Sequence, residues 1–274
     1  MAGAARFVVV GPGGCGVPVD EAIGDWSEGT GPSPETAEGR ARDARAGALA
    51  GRAITRAVEL VREGRVQGIV TAPIDKAALL AGGYDFPGHT EMLEALAGTP
   101  TVMMLASDRL RVVLATTHIA LRDVHAALTR ERLERTVRIT REGLRAGFGI
   151  AAPRIALCAL NPHAGDHGRF GREDDELLAP VAQATGIAGP FPADTVFVRA
   201  MRGEFDCVIA PYHDVGMTAI KVASFGAGVN VTLGLPFVRT SPDHGTALDI
   251  AGRGRASATS FVAAVRVAVS LLSR

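Results

Sequence analysis

The chain has 274 residues, with 29 basic and 29 acidic side chains and a formal charge of zero. Neutrality excludes the basic footprint of a nucleic-acid-binding protein, and 47% hydrophobic against 21% charged residues excludes broad disorder. No apolar run approaches the roughly 20 residues of a membrane helix; the longest, near Ser260–Leu272, is broken by Arg266, and MAGAARFVVVG is too weakly charged and apolar for a signal peptide.

In chain order, FVVV at 7–10 reads as a short buried strand followed by the glycine run GPGGCG. Residues 24–35 form a Gly/Pro/Ser-rich loop. Ser33-Pro34 then signals a helix start, with Ser as N-cap and Pro at the first position, and the helix runs to about Arg62. VQGIVTAP is the next strand, and Asp75–Leu80 a short helix. VMMLA and RVVLATT read as a hairpin joined by Ser107-Asp108. A long helix follows from Thr129, with Leu133, Val137, Thr140 and Leu144 as its stripe. RIALCAL is a buried strand, Glu173–Ala184 a helix, CVIA and VNVTLG strands, and Ser257–Leu272 a closing amphipathic helix. Alternating strands and helices define an α/β protein with a mixed or mostly parallel sheet. The length suits one large domain or two modest ones.

Cys15, Cys158 and Cys207 are odd in number and far apart, and the last two sit in apolar runs. This usage reads as a reduced, cytoplasmic protein. All basic residues but Lys76 and Lys221 are arginine. A lysine kept against that bias suits a place where a compact point charge is needed. Lys76, in TAPIDK, reads either as a surface residue at a helix start or as a cleft residue.

Gly11-x-Gly13-x-x-Gly16 follows a strand and matches a dinucleotide fingerprint. A true site needs a helix opening at the third glycine. Pro18, Gly24 and the following loop argue instead for a plain glycine turn. The histidines carry more. His118, His163 and His213 follow predicted strands, and His89 and His244 lie in loops; His125 and His167 read as surface residues. Strand carboxyl ends are where α/β sheets bind ligands. Three imidazoles there, near Asp123 and Asp214, suit a divalent metal with open positions.

THIALRD, LNPHAGDHGRFGRED, PADT, YHDVGMTAIK and GVNVTLGLPFVRTSPDHGTALDIAGRG, with TAPIDK and FPGHTE, resemble the 4-hydroxythreonine-4-phosphate dehydrogenase family of vitamin B6 biosynthesis. The match runs from about residue 65 to the C-terminus. It implies a two-domain α/β fold like that of isocitrate and isopropylmalate dehydrogenases, with a cleft between the domains. Residues 1–85 plus 250–274 would form the first domain and 86–249 the second. The resemblance implies a homodimer with a shared active site, NAD or NADP as cofactor, and one divalent metal (Zn, Mg, Mn or Co) on His118, His163 and His213. Substrate contacts carry over to His89, Thr90, Lys221, Asn230 and Arg239. Asp194 of PADT and Asp214 are the catalytic candidates, for proton handling or for orienting a neighbour; each also reads as a turn or capping residue.

The implied reaction is oxidation of a phosphorylated hydroxy acid, 4-phosphooxy-threonine or a close relative, with loss of CO2. A dihydrodiol dehydrogenase of aromatic catabolism and a non-catalytic binding protein on the same fold are the alternatives. Two departures from the family stand out. FVVVGPGGCGVP replaces a longer GDPAGIGPE-like start, as a compressed remnant or because that start is missing. The family's HDQG is His213-Asp214-Val215-Gly216 here, with an apolar side chain in place of an amide.

Overall fold

The computed structural model describes residues 5–26, 37–224 and 228–274. The expected Ser33-Pro34 helix start falls outside the described residues. Strands β1 (Val10–Gly13) and β2 (Glu21–Asp25) pair in parallel as a separate ribbon. Helix α1 (Ala37–Arg62) leads to β3 (Gly68–Val70), and α2 (Lys76–Ala81) and α3 (His89–Ala97) follow. Next come β4 (Val102–Ala106), β5 (Arg111–Leu114), the short α4 (Val124–Ala127), α5 (Arg130–Ala146) and β6 (Ile155–Cys158). A wide helical turn at Asp174–Leu178 opens into α6 (Ala179–Thr185). Then β7 (Ala188–Phe191), α7 (Ala193–Met201), β8 (Cys207–Ala210), α8 (His213–Ser224), β9 (Val229–Leu233), β10 (Val238–Pro242) and α9 (Thr259–Leu272) complete the described elements.

Eight strands form one mixed sheet in the order β3-β10-β9-β4-β5-β8-β6-β7. The pairs β3/β10, β5/β8, β8/β6 and β6/β7 are parallel; β10/β9, β9/β4 and β4/β5 are antiparallel. Side chains alternate between faces along each strand. Met104, Val113, Leu157 and Ile209 face one layer with Leu133, Val137 and Leu144 of α5 and Ala264 of α9. Leu105, Val112, Ala156 and Val208 face the other, with Val196 of α7 and Ile220 of α8. Cover on both faces explains why these strands read as continuous apolar runs. A third cluster packs Ile54 and Val58 of α1 on Ile69, Met92 and Leu93.

Several expectations need correcting. FVVV is not a buried strand: Phe7 and Val9 are 60% and 44% exposed, and the strand starts at Val10. A strand is buried only where other elements cover it; β1 pairs with β2 and packs on α1, and Phe7 and Val9 lie ahead of that contact. The segment after YHDVG, where the surface reading of Lys221 expects a strand, is helix α8; β-branched Val215, Thr218, Ile220 and Val222 mask its helical period. The sequence pattern does not announce helix α3 or strands β7 and β10 either, the strands because AGPF and VRTSP carry proline.

At the start of β6 and β8, Asp206 ties two strands together. Its carboxylate accepts from the Arg154 backbone N (2.8 Å), Nε (3.2 Å) and Nη2 (2.9 Å). The Arg154 hydrogen bonds hold its pKa below the usual carboxylate range, with burial opposing. A carboxyl whose folded pKa is depressed stabilises above its unfolded value, near 3.9. That contribution is lost as pH falls through the folded value. Asp206→Asn is therefore expected to cost about 1 kcal/mol at pH 7, discounted for the exposure of Arg154, and less at pH 4 and below. Urea unfolding at several pH values checks this; an equal loss at pH 7 and pH 3 would remove the ion pair from the account.

Candidate active site

Strands β5, β8 and β6 are neighbours and parallel, so their carboxyl ends share one edge of the sheet. A histidine follows each within a few residues. His118 follows β5, His213 opens α8 after β8, and His163 lies in the turn after β6. The fold thus brings together three segments that are remote in sequence.

The His118 and His213 rings are neighbours, with centroids 5.7 Å apart and planes tilted by 44°. His213 Nδ1 is 2.7 Å from Asp214 Oδ1. That contact orients the ring and leaves Nε2 free, the usual arrangement for a metal-ligating imidazole. Desolvation lowers the His118 pKa, Lys76 and His213 add to the effect, and Glu91 opposes it. The His163 ring lies 6.3 Å from that of Phe170. Among the described residues no group of three His, Cys, Asp or Glu side chains converges on one metal position. Two imidazoles with a carboxylate behind one of them fit the donor chemistry of a divalent first-row ion, with the third histidine on the adjoining loop. A small hollow of about 50 Å³ lies beside them, lined by Thr116, Thr117, Tyr212, His213 and Asp214 among others. A larger one of about 300 Å³, at Arg111, Phe205 and Asp206, contains none of these residues.

The second feature is a buried cation. Arg239 on β10 is 1% exposed. Its Nη1 donates to Thr232 Oγ1 (2.9 Å) and its Nη2 to Thr71 Oγ1 (2.7 Å). Its Nε has no partner, and no ion pair neutralises it among the described residues. Burial lowers its pKa to about 10, with Glu91 acting in the opposite direction. His89, the first residue of α3, is pushed down to about 3 by burial and then by Arg239, so it is neutral at physiological pH. Glu91, in the first turn of α3, acts on both His118 and Arg239. Asn230 on β9 has a buried Oδ1 without a partner.

Lys221 lies about 12 Å along α8 from His213. It pairs with Asp243, Nζ–Oδ2 at 3.5 Å; burial raises the Asp243 pKa, and Lys221, His213 and His244 oppose that rise. Asp194 is exposed in the first turn of α7 and bonds to no described side chain. Val215 packs into the apolar layer beneath α8. Gly16 leads into strand β2, not into a helix, so the glycine run offers no helix N-terminus to a pyrophosphate. Glu91 and Asp243 are not among the residues expected from sequence; their only local signal is a carboxylate within a histidine-bearing motif, GHTE or SPDHGT.

Residues 33–268 match the family model described as "Pyridoxal phosphate biosynthetic protein PdxA". The chain belongs to the PdxA family. A 4-hydroxythreonine-4-phosphate dehydrogenase of Methylorubrum populi is 51% identical over 242 residues, covering 84% of this chain and 69% of that protein. A D-threonate 4-phosphate dehydrogenase of Cupriavidus necator is 49% identical over 236 residues, covering 84% and 71%. The solved structure of a 4-hydroxythreonine-4-phosphate dehydrogenase from Klebsiella pneumoniae aligns with a TM-score of 0.76 at 42% identity, covering 83% of this chain and 72% of that one. PdxA relatives of this kind are dehydrogenases, and the α/β fold described above is theirs.

Proposed function

We propose that this PdxA-family chain oxidises a phosphorylated hydroxy acid, 4-phosphooxy-threonine or a close relative such as a threonate 4-phosphate. NAD or NADP and one divalent metal (Zn, Mg, Mn or Co) serve as cofactors, and the product loses CO2. The observation that carries this is Arg239: a buried guanidinium with a free Nε and no carboxylate partner among the described residues. Such a charge is costly unless an anion completes it. The relatives near 50% identity that are quoted above are both named for phosphorylated substrates, which favours this reading over the dihydrodiol.

His118, His163 and His213 would hold the metal. Bound there, the metal would lower the pKa of the substrate hydroxyl, and a nicotinamide would supply the hydride acceptor. Arg239 receives an anionic oxygen through Nε and its spare N–H groups, the fork geometry favouring two contacts at once. Neutral His89 and Thr90 offer hydrogen bonds without adding charge. Asn230 Oδ1 accepts from a substrate donor, and Lys221 adds a point charge toward the phosphate. Asp214 holds the proton on His213 Nδ1, and Asp194 is the candidate proton acceptor from the α7 side. We place these groups between a first unit of residues 1–85 plus 250–274 and a second of 86–249. A homodimer in the cytoplasm, with the partner chain completing the cleft, belongs to the same reading. It fits the absence, among the described residues, of three ligating side chains converging on one position. Among the described residues no helix is long and apolar enough to cross a membrane.

The test is NAD or NADP reduction at 340 nm on a panel of 4-phosphooxy-threonine, D-threonate 4-phosphate and a terephthalate dihydrodiol, with each metal and with EDTA. Turnover of a phosphorylated acid, abolished by EDTA, in a sample that is dimeric by light scattering is the expected result. Turnover of the dihydrodiol alone, or of nothing on the panel, would overturn the substrate assignment; a monomer would overturn the shared site.

A further inference from the structure

The loop carrying His163 has an unusual backbone. Five non-glycine residues among those described have positive φ, and four of them are here: His163 (54°), Ala164 (54°), Asp166 (45°) and His167 (56°). Left-handed backbone is costly for residues with a Cβ. It persists where the surroundings over-determine it, and such places cluster at functional sites.

Two acidic residues of the following turn do the holding. Asp174 is fully buried and has no cationic partner among the described residues. Its Oδ1 accepts from Leu160 N at 2.8 Å. Its Oδ2 accepts from Asn161 N and from Asn161 Nδ2, each at 3.0 Å. Glu173 Oε2 accepts from the same Asn161 Nδ2 at 2.8 Å. The other oxygen of Glu173 lies 3.4 Å from His125 Nε2, on α4. A continuous polar path therefore runs from the segment after His118, through His125, Glu173, Asn161 and Asp174, into the loop of His163. Gly171 closes it: a Cβ there would sit 2.4 Å from Glu173 Oε2 and 2.6 Å from Asn161 Nδ2.

We infer that Asp174 and Glu173 are positioning residues that set the His163 loop relative to the loop of His118. This rests on the reading of His163 as a metal ligand. Neither carboxylate touches the reacting atoms. Asp174 fixes the two backbone N–H groups from which the left-handed run departs, and Glu173 joins that point to the neighbouring histidine segment. A carboxylate that only stabilised the fold would move the melting temperature and leave metal affinity alone.

Co2+ titration of the purified protein, followed by its visible absorption, separates the cases without any assay of activity. Asp174→Asn keeps the shape but turns an N–H donor toward N–H donors. Asn161→Ala cuts the side-chain link and spares both backbone bonds, so it carries the test if Asp174→Asn fails to fold. Co2+ affinity should fall roughly 10–100-fold in Asp174→Asn and less, in the same direction, in Asn161→Ala. His163→Ala sets the scale of full loss. Weakened binding in His163→Ala with wild-type affinity in the other two variants would overturn the positioning role alone. Wild-type affinity in His163→Ala, or no Co2+ binding by the parent protein, would overturn the metal reading and this inference with it.

Discussion

Replacing Arg239 by Met should lower kcat/KM for the phosphorylated substrate by 10²–10³-fold, on the order of 3–4 kcal/mol for a buried charged contact, while leaving the protein as stable as before or more so. The two halves of this expectation have one cause. In the free protein the guanidinium is buried, its Nε is unpartnered, and burial has brought its pKa down to about 10 from 12.5. Holding the charged form at pH 7 then costs roughly 3 kcal/mol, at 1.36 kcal/mol per pKa unit. Met fills much of the volume and removes that cost. The loss of hydrogen bonds to Thr71 and Thr232 gives back about 1 kcal/mol for each hydroxyl left unpaired. The sign follows from the direction of the shift. A base whose folded pKa is depressed destabilises the fold below that pKa, and the penalty fades as pH rises through about 10. A melting temperature well below wild type in Arg239→Met would show that the charge is already neutralised in the free protein. It would then have no need of a substrate anion. Unchanged kcat/KM would remove Arg239 from the site.

Burial explains what could and could not be read in advance. The 3.6-residue stripe of α5 and its Thr129 cap, which accepts from Arg132 N at 3.2 Å, are local features, and so is the β4/β5 hairpin. Each was legible because neighbours in sequence decide it. Strands β6 and β8 were legible as apolar runs. That they lie side by side next to β5, and so gather His118, His213 and the loop of His163 on one edge, depends on strand order, which periodicity does not encode. Arg239 is the sharpest case. An arginine within VRTSP reads as exposed, since nothing local announces that β3 and β9 flank it and bury it. Its role was reachable only through the family motif. Asp174 was hidden in the same way inside GRED, where a fully buried carboxylate looks like any other acid in a charged run. Lys76 and Lys221 were singled out by composition. The fold places Lys76 at the N-terminus of α2 within electrostatic reach of His118, and pairs Lys221 with Asp243.

The largest loss of stability is expected from Gly47→Ala, at the contact between α1 and α2. A Cβ at Gly47 would lie 1.6 Å from the Ala78 carbonyl oxygen and 2.2 Å from its carbon. The opposing glycine makes the reciprocal contact: a Cβ at Gly82 would lie 2.2 Å from Ala48 N. Both obstacles are backbone, so no rotamer change relieves them. Inside a helix Ala is otherwise preferred to Gly by about 1 kcal/mol, and the substitution would stabilise α1 in isolation. The clash must outweigh that gain, because separating two helices that touch through their backbones strips contact from everything packed around them. Overpacking of a single core position costs about 1–3 kcal/mol; with rigid backbone on the receiving side the net loss should lie at the upper end, near 3 kcal/mol. The effect should also reach the site. Helix α2 begins at Lys76 under the cap of Asp75, whose side chain accepts from Ala78 N at 2.8 Å. Ala78 is thus both the residue struck by the new methyl and the residue that anchors the cap. Displacing it moves Lys76 away from His118. Urea unfolding followed by circular dichroism measures the first effect, and kcat/KM of the folded fraction the second. A midpoint equal to wild type would show that the helices can part without cost and that the glycine pair does not set their approach.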